Sequence, residues 1–471
     1  MIRIFRHYIS RWSLLLVLME TTIYLLSVYA GVALRFYSEA EPDDIHAEFL
    51  FWRALFFALV MLISMTATGR YQRMMGDGLA GELLSVGLSF IIGLVATSML
   101  FYAFPDLFIG RGAFAFAWIV ALIGVLLLRW IFYRFIVDTK SLQRRILICG
   151  TGYKARIVER MIDQDPRDMV IIGYWPVAGT PEMVEELRII RSEQPLLQWC
   201  RNHQVSEVVL ASDSPIEMPL MHDLVDCKAK RILVLDLPQF FEREERVIMM
   251  DALGPDWWVA YADGVNRHPF QELMKKSFDI TLSLLLLFTL WPIMLMAALA
   301  VWAESGFRGP IFYRQTRVGF AGKPFHVWKF RSMRQDAERD GPQWAQQNDS
   351  RITKVGRVIR NTRIDELPQF YNVLHGEMSL VGPRPERPEF TELLQAKIPY
   401  YSERLRVKPG ITGWAQIKYG YGASIKDAEE KLKYDLYYVK NHSLFFDLLV
   451  LIHSVEVVLF GKGVEASRSE E

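Results

Sequence analysis

The segment Arg363-Ile364-Asp365-Glu366-Leu367-Pro368-Gln369-Phe370 sets two adjacent carboxylates between a run of arginines and the basic turn Gly382-Pro383-Arg384-Pro385. Neighbouring residues on a helix point about 100° apart. The pair can therefore divide its work, with one carboxylate attacking phosphorus and the other holding a cation. Asp365 is expected to cap a helix that takes Pro368 where no amide donor is needed, runs through Tyr371 and Leu374, and stops at Gly376. The helix terminus and the nearby arginines should keep both carboxylates ionised. A capping Asp-Glu pair on its own is structural more often than catalytic, so its surroundings decide.

Those surroundings are cationic. Between Ser305 and Arg363 the chain holds 13 Lys or Arg against the acids Asp336, Glu338, Asp340 and Asp349, a local charge of +9. Arg351, Lys354, Arg357, Arg360 and Arg363 recur every third residue, which on a helix gives a slowly drifting stripe. For most of them a solvated or headgroup-facing surface is sufficient explanation. The sharper reading is a diphosphate site, because guanidinium forks match phosphate oxygens.

A membrane-length apolar run lies just upstream. Ile280–Ala303 would be about 36 Å long as a helix, long enough to cross a bilayer. Pro292 interrupts its middle, and both flanks are basic: Lys275 and Lys276 before it, Arg308, Arg314 and Arg317 after it. Crossing would strand one basic flank outside. A broken helix that enters and leaves on one side (residues 278–303) fits both facts, provided its apex is covered.

Four further apolar segments, Ser13–Leu34, Phe49–Thr68, Leu83–Phe104 and Phe114–Val137, fill the first third. Arg3, Arg6 and Arg11 precede them, Arg70 and Arg73 follow the second, and Arg134, Lys140, Arg144 and Arg145 follow the last. The first loop is acidic, with Glu39, Glu41, Asp43, Asp44 and Glu48. Both ends of the bundle are thereby expected on the cytoplasmic side. Glu20 and Arg53 lie within spans, where ionisable groups are functional candidates or a buried pair that positions helices.

Residues 141–262 alternate strand-like and helical runs, which suggests a parallel, Rossmann-like sheet. Its turn Gly150-Thr151-Gly152-Tyr153-Lys154-Ala155 approximates a dinucleotide fingerprint. The second strand ends at Gly173-Tyr174, without the acidic residue that would hold a ribose, so a tight strand-to-helix turn is the better reading. Cys149, Cys200 and Cys227 have no metal-ligand spacing and read as reduced, buried thiols. His326, His375, His442 and His453 likewise show no ligand spacing. Ser443–Phe460 reads as an amphipathic interfacial helix interrupted by Asp447, His453 and Glu456, and 464–471 as a disordered tail.

Over its 471 residues the chain is 51% hydrophobic and 23% charged, so apolar and charged parts are segregated, and its net charge of +1 argues against a dedicated nucleic-acid binder. The expected architecture is a four-helix transmembrane bundle (1–140), a Rossmann-like domain (141–262) and a mostly α-helical monotopic domain with the proline-broken helix (265–463).

Residues 270–462 resemble the bacterial sugar transferases, the polyprenyl-phosphate hexose-1-phosphate transferases. The resemblance rests on Phe312-Tyr313-Arg314-Gln315, Lys329-Phe330-Arg331-Ser332-Met333, Asp365-Glu366-Leu367-Pro368-Gln369 and Asn372-Val373-Leu374. It continues through Gly376-Glu377-Met378-Ser379, Val381-Gly382-Pro383-Arg384-Pro385 and Lys408-Pro409-Gly410-Ile411-Thr412-Gly413-Trp414. The bundle and the CoA-binding-like central domain resemble the large branch of that family. Arg384-Pro385-Glu386-Arg387-Pro388 and Tyr434-Asp435-Leu436-Tyr437-Tyr438 are similar to its subgroup associated with PEP-CTERM exopolysaccharide loci.

The resemblance implies transfer of a sugar 1-phosphate from a UDP-sugar to undecaprenyl phosphate, releasing UMP, at the bacterial inner membrane with the active site and both termini cytoplasmic. It implies Asp365 as nucleophile, Glu366 as magnesium-binding and catalytic residue, Arg384 as nucleotide contact, and Lys329 and Arg331 as a basic hairpin beside the site. Arg360 joins the expected phosphate-binding set. Asp435 is a candidate for a further Mg²⁺ carboxylate, with a structural role favoured, and Pro292 matches a re-entry proline. A homodimer is compatible with the large branch. A membrane-bound nucleotide-sugar dehydratase or epimerase would need a Tyr-x-x-x-Lys pair, which the chain lacks. A polysaccharide-assembly scaffold would leave the C-terminal motifs unexplained.

Overall fold

The computed structural model describes residues 2–4, 7–9, 11–36, 47–68, 78–132, 143–164, 169–253, 269–337, 349–420, 422 and 424–460. The expected domain boundaries at 140/141 and 262/265, the tail 464–471, the loop acids Glu39 to Asp44, and Arg6, Arg70, Arg73, Arg134 and Lys140 lie outside them. Two compact units emerge, Met1–Val120 with Gly254–Glu471, and Ala121–Leu253.

The first unit begins with a hairpin, β1 (Ile2–Ile4) and β2 (His7–Ile9), followed by the apolar helices α1 (Arg11–Arg35), α2 (Ala47–Ala67), α3 (Gly78–Ala103) and the start of α4 (Arg111–Phe132). Each contains a stretch long and apolar enough to cross a membrane. Aromatic side chains fill the space between them: Tyr24, Phe57 and Phe90 are fully buried, with rings meeting at 6.1–6.4 Å. Glu20 is fully buried. Arg53 donates from Nε to the Asp106 carbonyl at 3.1 Å. Of the two readings of Glu20 and Arg53, the buried pair is not formed among the described residues; Arg53 instead satisfies a loop carbonyl near its own end of α2.

The second unit contains a four-stranded parallel sheet in the order β4-β3-β5-β6, from β3 (Arg144–Cys149), β4 (Met169–Trp175), β5 (Glu207–Leu210) and β6 (Leu233–Asp236). Leu147, Cys149, Cys200, Val208 and Cys227 build its apolar core, and all three thiols are free and buried. Gly150 has φ +134°, and any Cβ there would overlap the Ala211 carbonyl. The Asp213 carboxylate stands against Gly152 and accepts from Lys154 N at 3.4 Å. A carboxylate thus occupies the helix start where a pyrophosphate would bind, which favours the tight-turn reading of the glycines.

The rest of the first unit follows a helix that runs from Pro269 to Glu304 with Pro292 inside it. The expected interruption at Pro292 is not an end of the helix: the helical assignment continues through it. Proline there removes one amide donor and crowds the carbonyl four residues back, which bends a helix axis without ending the helix. Beyond it come the hairpin β7 (Phe312–Val318) and β8 (Pro324–Phe330), the arginine helix Lys354–Asn361, the 3₁₀ turn Ile364–Gln369 and the short helix Phe370–Leu374. Strands β9 (Ser379–Val381) and β10 (Gly410–Thr412) pair in parallel. Asp447 and His453 of the terminal helix Leu444–Phe460 are buried at 1% and 2% exposure. These polar interruptions turn inward instead of marking a watery face, because Asp447 meets Lys275 at 2.5 Å.

Gly382, Gly410 and Gly413 let β9 and β10 touch backbone to backbone. Gly382 N donates to Thr412 O at 2.9 Å and Gly410 N to Pro383 O at 3.0 Å. A Cβ on Gly410 would overlap the backbone of Gly382. Gly410→Ala should therefore destabilise the fold by about 3 kcal/mol through backbone overlap; an unchanged denaturant midpoint for the full-length protein in detergent would contradict this packing.

Candidate active site

The dyad does not sit at an α-helical cap. Asp365 and Glu366 occupy the 3₁₀ turn Ile364–Gln369, and the residue that opens it, Arg363, is left-handed with φ 58°. The expected N-cap is thereby corrected: the chain must reverse between the arginine helix and the turn, and Arg363 absorbs the reversal at the cost of backbone strain. The continuation through Leu374 and the positive-φ stop at Gly376, φ 78°, match the expectation.

Asn372 sets the dyad against the hairpin. Its Oδ1 accepts from Trp328 N at 3.1 Å, while its Nδ2 donates to His326 O and to Glu377 Oε2, each at 2.7 Å. This fully buried amide stitches the edge of β8 to the helix following the dyad. Lys329, one residue beyond Trp328, is brought to Glu366.

Glu366 Oε1 accepts from Lys329 Nζ at 2.8 Å and from Arg384 Nη2 at 2.6 Å. Among the described residues, Glu366 Oε2 and both Asp365 oxygens accept no hydrogen bond, although the two residues are only 7% and 6% exposed. The acidities divide accordingly. Burial pushes the Glu366 carboxyl up, but Arg384 and Lys329 outweigh it and hold the group well below the usual carboxylate range. Burial also raises the Asp365 carboxyl; Lys329 opposes the rise, the Glu366 charge adds to it, and the net direction is upward. The sequence-based expectation that both acids are ionised gains a division it did not contain: the direct ion pairs go to Glu366. Burial lowers the Lys329 ammonium, with Glu366 opposing.

Four expected site residues therefore cluster: Asp365, Glu366, Lys329 and Arg384. Arg360 faces the same region from the arginine helix, where its charge lowers the Asp365 carboxyl without a hydrogen bond. Its stripe is shorter than expected. Only Lys354, Arg357 and Arg360 share the helix, which starts where Thr353 caps it through Gly356 N at 2.9 Å. Arg351 instead pairs with Asp349 at 2.5 Å. Arg331 leaves the site. Its Nη2 donates to Val301 O at 3.5 Å, and Nη1, packed over Gly309, has no partner among the described residues. The guanidinium thus lies against a carbonyl in the last turn of the long helix, where cations are favoured.

Asp435 is likewise outside the dyad. Its Oδ2 takes Arg404 Nε at 3.0 Å and Nη2 at 2.8 Å. Among the described residues no cluster of three or more His, Cys, Asp and Glu suits a metal ion. The second oxygen of Glu366, which takes neither Lys329 nor Arg384, fits Mg²⁺, which is commonly held by one or two carboxylates and completed by substrate phosphates and water. Sequence reasoning missed Asn372, Arg317 and Arg404 as site-building residues. Arg317 lies beside Lys329 and donates from Nη1 to Pro385 O at 3.0 Å. The motif containing Asn372 was visible and Arg317 stood out only as a basic flank of the apolar run, but only contacts across the fold reveal what these side chains hold.

The bacterial sugar transferase family matches residues 270–461. The chain is 44% identical over 195 residues to the UDP-N-acetylgalactosamine-undecaprenyl-phosphate N-acetylgalactosaminephosphotransferase of Aeromonas hydrophila, covering 41% of this chain and 46% of that protein. It is 38% identical over 296 residues to the UDP-glucose:undecaprenyl-phosphate glucose-1-phosphate transferase of Escherichia coli (strain K12), covering 62% and 60%. It is also 42% identical over 197 residues to the uncharacterized sugar transferase EpsL of Bacillus subtilis (strain 168), covering 41% of this chain and 91% of that one. The chain thus spans about half of the first of these relatives and three fifths of the second, but nearly all of the third. With its apolar helices it is a membrane protein, and the chain belongs to the bacterial sugar transferase family.

Proposed function

We propose that this protein transfers a sugar 1-phosphate from a UDP-sugar to undecaprenyl phosphate, initiating a glycoconjugate such as an exopolysaccharide at the inner membrane. The observation that carries this reading is the unpaired, buried Asp365 carboxylate beside a Glu366 that has absorbed Lys329 and Arg384. An unpaired carboxylate is free to be a nucleophile. Relatives named for this reaction, with glucose or N-acetylgalactosamine, support it.

In this mechanism an Asp365 oxygen attacks the β-phosphorus of the UDP-sugar. The bond from that phosphorus to the bridging oxygen breaks, and UMP leaves with the electron pair. The resulting acyl phosphate links Asp365 to the sugar 1-phosphate. An oxygen of undecaprenyl phosphate then attacks the same phosphorus and Asp365 departs as carboxylate. One phosphoanhydride replaces another. Arg384, Lys329 and Arg360 offset the charge brought together by two anionic substrates. The free Oε2 of Glu366 would hold Mg²⁺, which when bound supplies further neutralisation of the phosphates.

The lipid substrate calls for a site at the membrane surface, and we read Pro269–Glu304 as entering and leaving the same leaflet. Both ends are tied to the same C-terminal part of the chain. Near the start, Lys275 meets Asp447 at 2.5 Å and Leu380 N donates to Asp279 at 3.3 Å. At the far end Val355 N donates to Glu304 at 3.1 Å. Between these anchors Leu285, Phe288, Trp291 and Met296 are exposed at 51% or more, which suits lipid contact. In this reading residues 1–140 anchor the chain, 141–262 form a Rossmann-like domain and 265–463 carry the chemistry, on the cytoplasmic side.

Asp365→Asn should retain the fold and lose about a thousandfold or more of lipid-dependent UMP release with Mg²⁺ and the correct UDP-sugar; near-normal turnover removes Asp365 as nucleophile. Transfer requires ionised Asp365, whose acidity is weakened, so the rate should fall on acidification starting above the ordinary aspartate range. Glu366→Gln deletes the neighbouring charge and leaves two cations facing Asp365, so the acid limb of its residual pH-rate profile should move to lower pH. An upward move contradicts the charge arrangement. Single cysteines at 276 and 306 should both react with a membrane-impermeant maleimide only from the cytoplasmic face; labelling from opposite faces would establish a crossing helix.

A further inference from the structure

We propose that Arg404 and Asp435 are a positioning pair that aims the Arg384 guanidinium at Glu366; this rests on the reading of Arg384 given above. Arg384 lies between Pro383 and Pro385, so its backbone has few alternatives, and the direction of its carbonyl sets the direction of its side chain. That carbonyl accepts from Arg404 Nη2 at 2.8 Å. Arg404 is fixed in turn by Asp435 Oδ2, at 3.0 Å from Nε and 2.8 Å from Nη2, and by Tyr401, whose hydroxyl lies 3.1 Å from Nη1.

The neighbouring carbonyls show how the loop is held. Val381 O accepts from Tyr438 at 2.9 Å, Pro383 O from Gly410 N at 3.0 Å and Pro385 O from Arg317 at 3.0 Å. The Arg404 side chain is only 7% exposed, against 18% for Arg317, so water is the poorer substitute donor at Arg384. A buried ion pair is weak evidence of stabilisation, since apolar replacements are often neutral. Its value here lies in delivering one oriented donor to the carbonyl of the residue that neutralises Glu366. Asp435 is correspondingly unsuited to Mg²⁺, because two nitrogens of a cationic side chain already occupy its Oδ2.

A double-mutant cycle on the full-length protein in nanodiscs tests this. Asp435→Asn should lower kcat/KM for transfer about a hundredfold, the scale of a misplaced catalytic group. In an Arg384→Ala background the same change should cost less than about twofold, because the residue it acts through is gone. An equal loss in both backgrounds would mean a general structural role and overturn the proposal. Should Asp435→Asn fail to fold because it leaves the Arg404 charge buried, the paired variant Arg404→Met with Asp435→Asn removes both charges at nearly constant volume. It should melt near wild type and show the same hundredfold loss, whereas full activity with wild-type melting overturns the proposal. Full activity of Arg384→Ala alone would instead remove the site reading beneath it.

Discussion

One carboxylate oxygen, Glu366 Oε1, receives both Lys329 and Arg384. Much of the C-terminal architecture serves that meeting. Lys329 arrives on a strand that Asn372 stitches beside the dyad. Arg384 arrives on a loop that three glycines allow to press against β10. Glu366 sits in a 3₁₀ turn entered through a left-handed arginine. With the two cations bonded to Glu366, its neighbour Asp365 is buried and accepts no hydrogen bond among the described residues. In the proposed mechanism, an ion pair on Asp365 itself would stabilise the charge and dull its attack. Two adjacent acids thus acquire unlike tasks from unlike surroundings, a division seen wherever environments push paired acidities apart.

The base of the long apolar helix joins the same construction. Lys275 pairs with Asp447 and reaches Val381 O at 3.5 Å. Tyr438 bonds both Val381 O and Asp447, at 2.9 and 2.6 Å. Val381 immediately precedes the Gly382–Pro385 loop. The long apolar helix and the loop that bears Arg384 therefore share one buried network. Close by, His7 of the N-terminal hairpin stacks on Phe446 at 4.4 Å and meets Tyr437 at 3.1 Å. The residues before the first apolar helix are thereby packed into the C-terminal part.

The sequence disclosed which segments meet at the site, because the motifs carrying Lys329, Asp365, Glu366 and Arg384 combine charge with Gly and Pro at fixed places. Membrane-length helices and the parallel sheet were legible from apolar run length and alternation. What stayed hidden depended on partners distant in the chain. Arg331 matches the basic hairpin motif, yet helix-end carbonyls claim it. Asp447 reads as a polar interruption, yet it is the buried partner of Lys275, 172 residues away. The αL geometry of Arg363 has no glycine or asparagine to announce it. The six hydrogen-bonded residues of the N-terminal hairpin are too few to show a strand period. The glycine turn at 150–152 carried the opposite lesson: its spacing suggested a ligand, and Asp213 takes the place that ligand would need.

The central claim is that Asp365, left unpaired by its neighbour, takes the sugar phosphate before any lipid arrives. Isotope exchange measures this directly: radiolabelled UMP is incubated with the full-length protein, the cognate UDP-sugar and Mg²⁺, with no polyprenyl phosphate present. Label should enter the UDP-sugar, and the exchange should vanish in the Asp365→Asn protein. An absence of exchange from a preparation that transfers at full rate once undecaprenyl phosphate is added would show that the lipid attacks the nucleotide sugar itself, and would contradict the account.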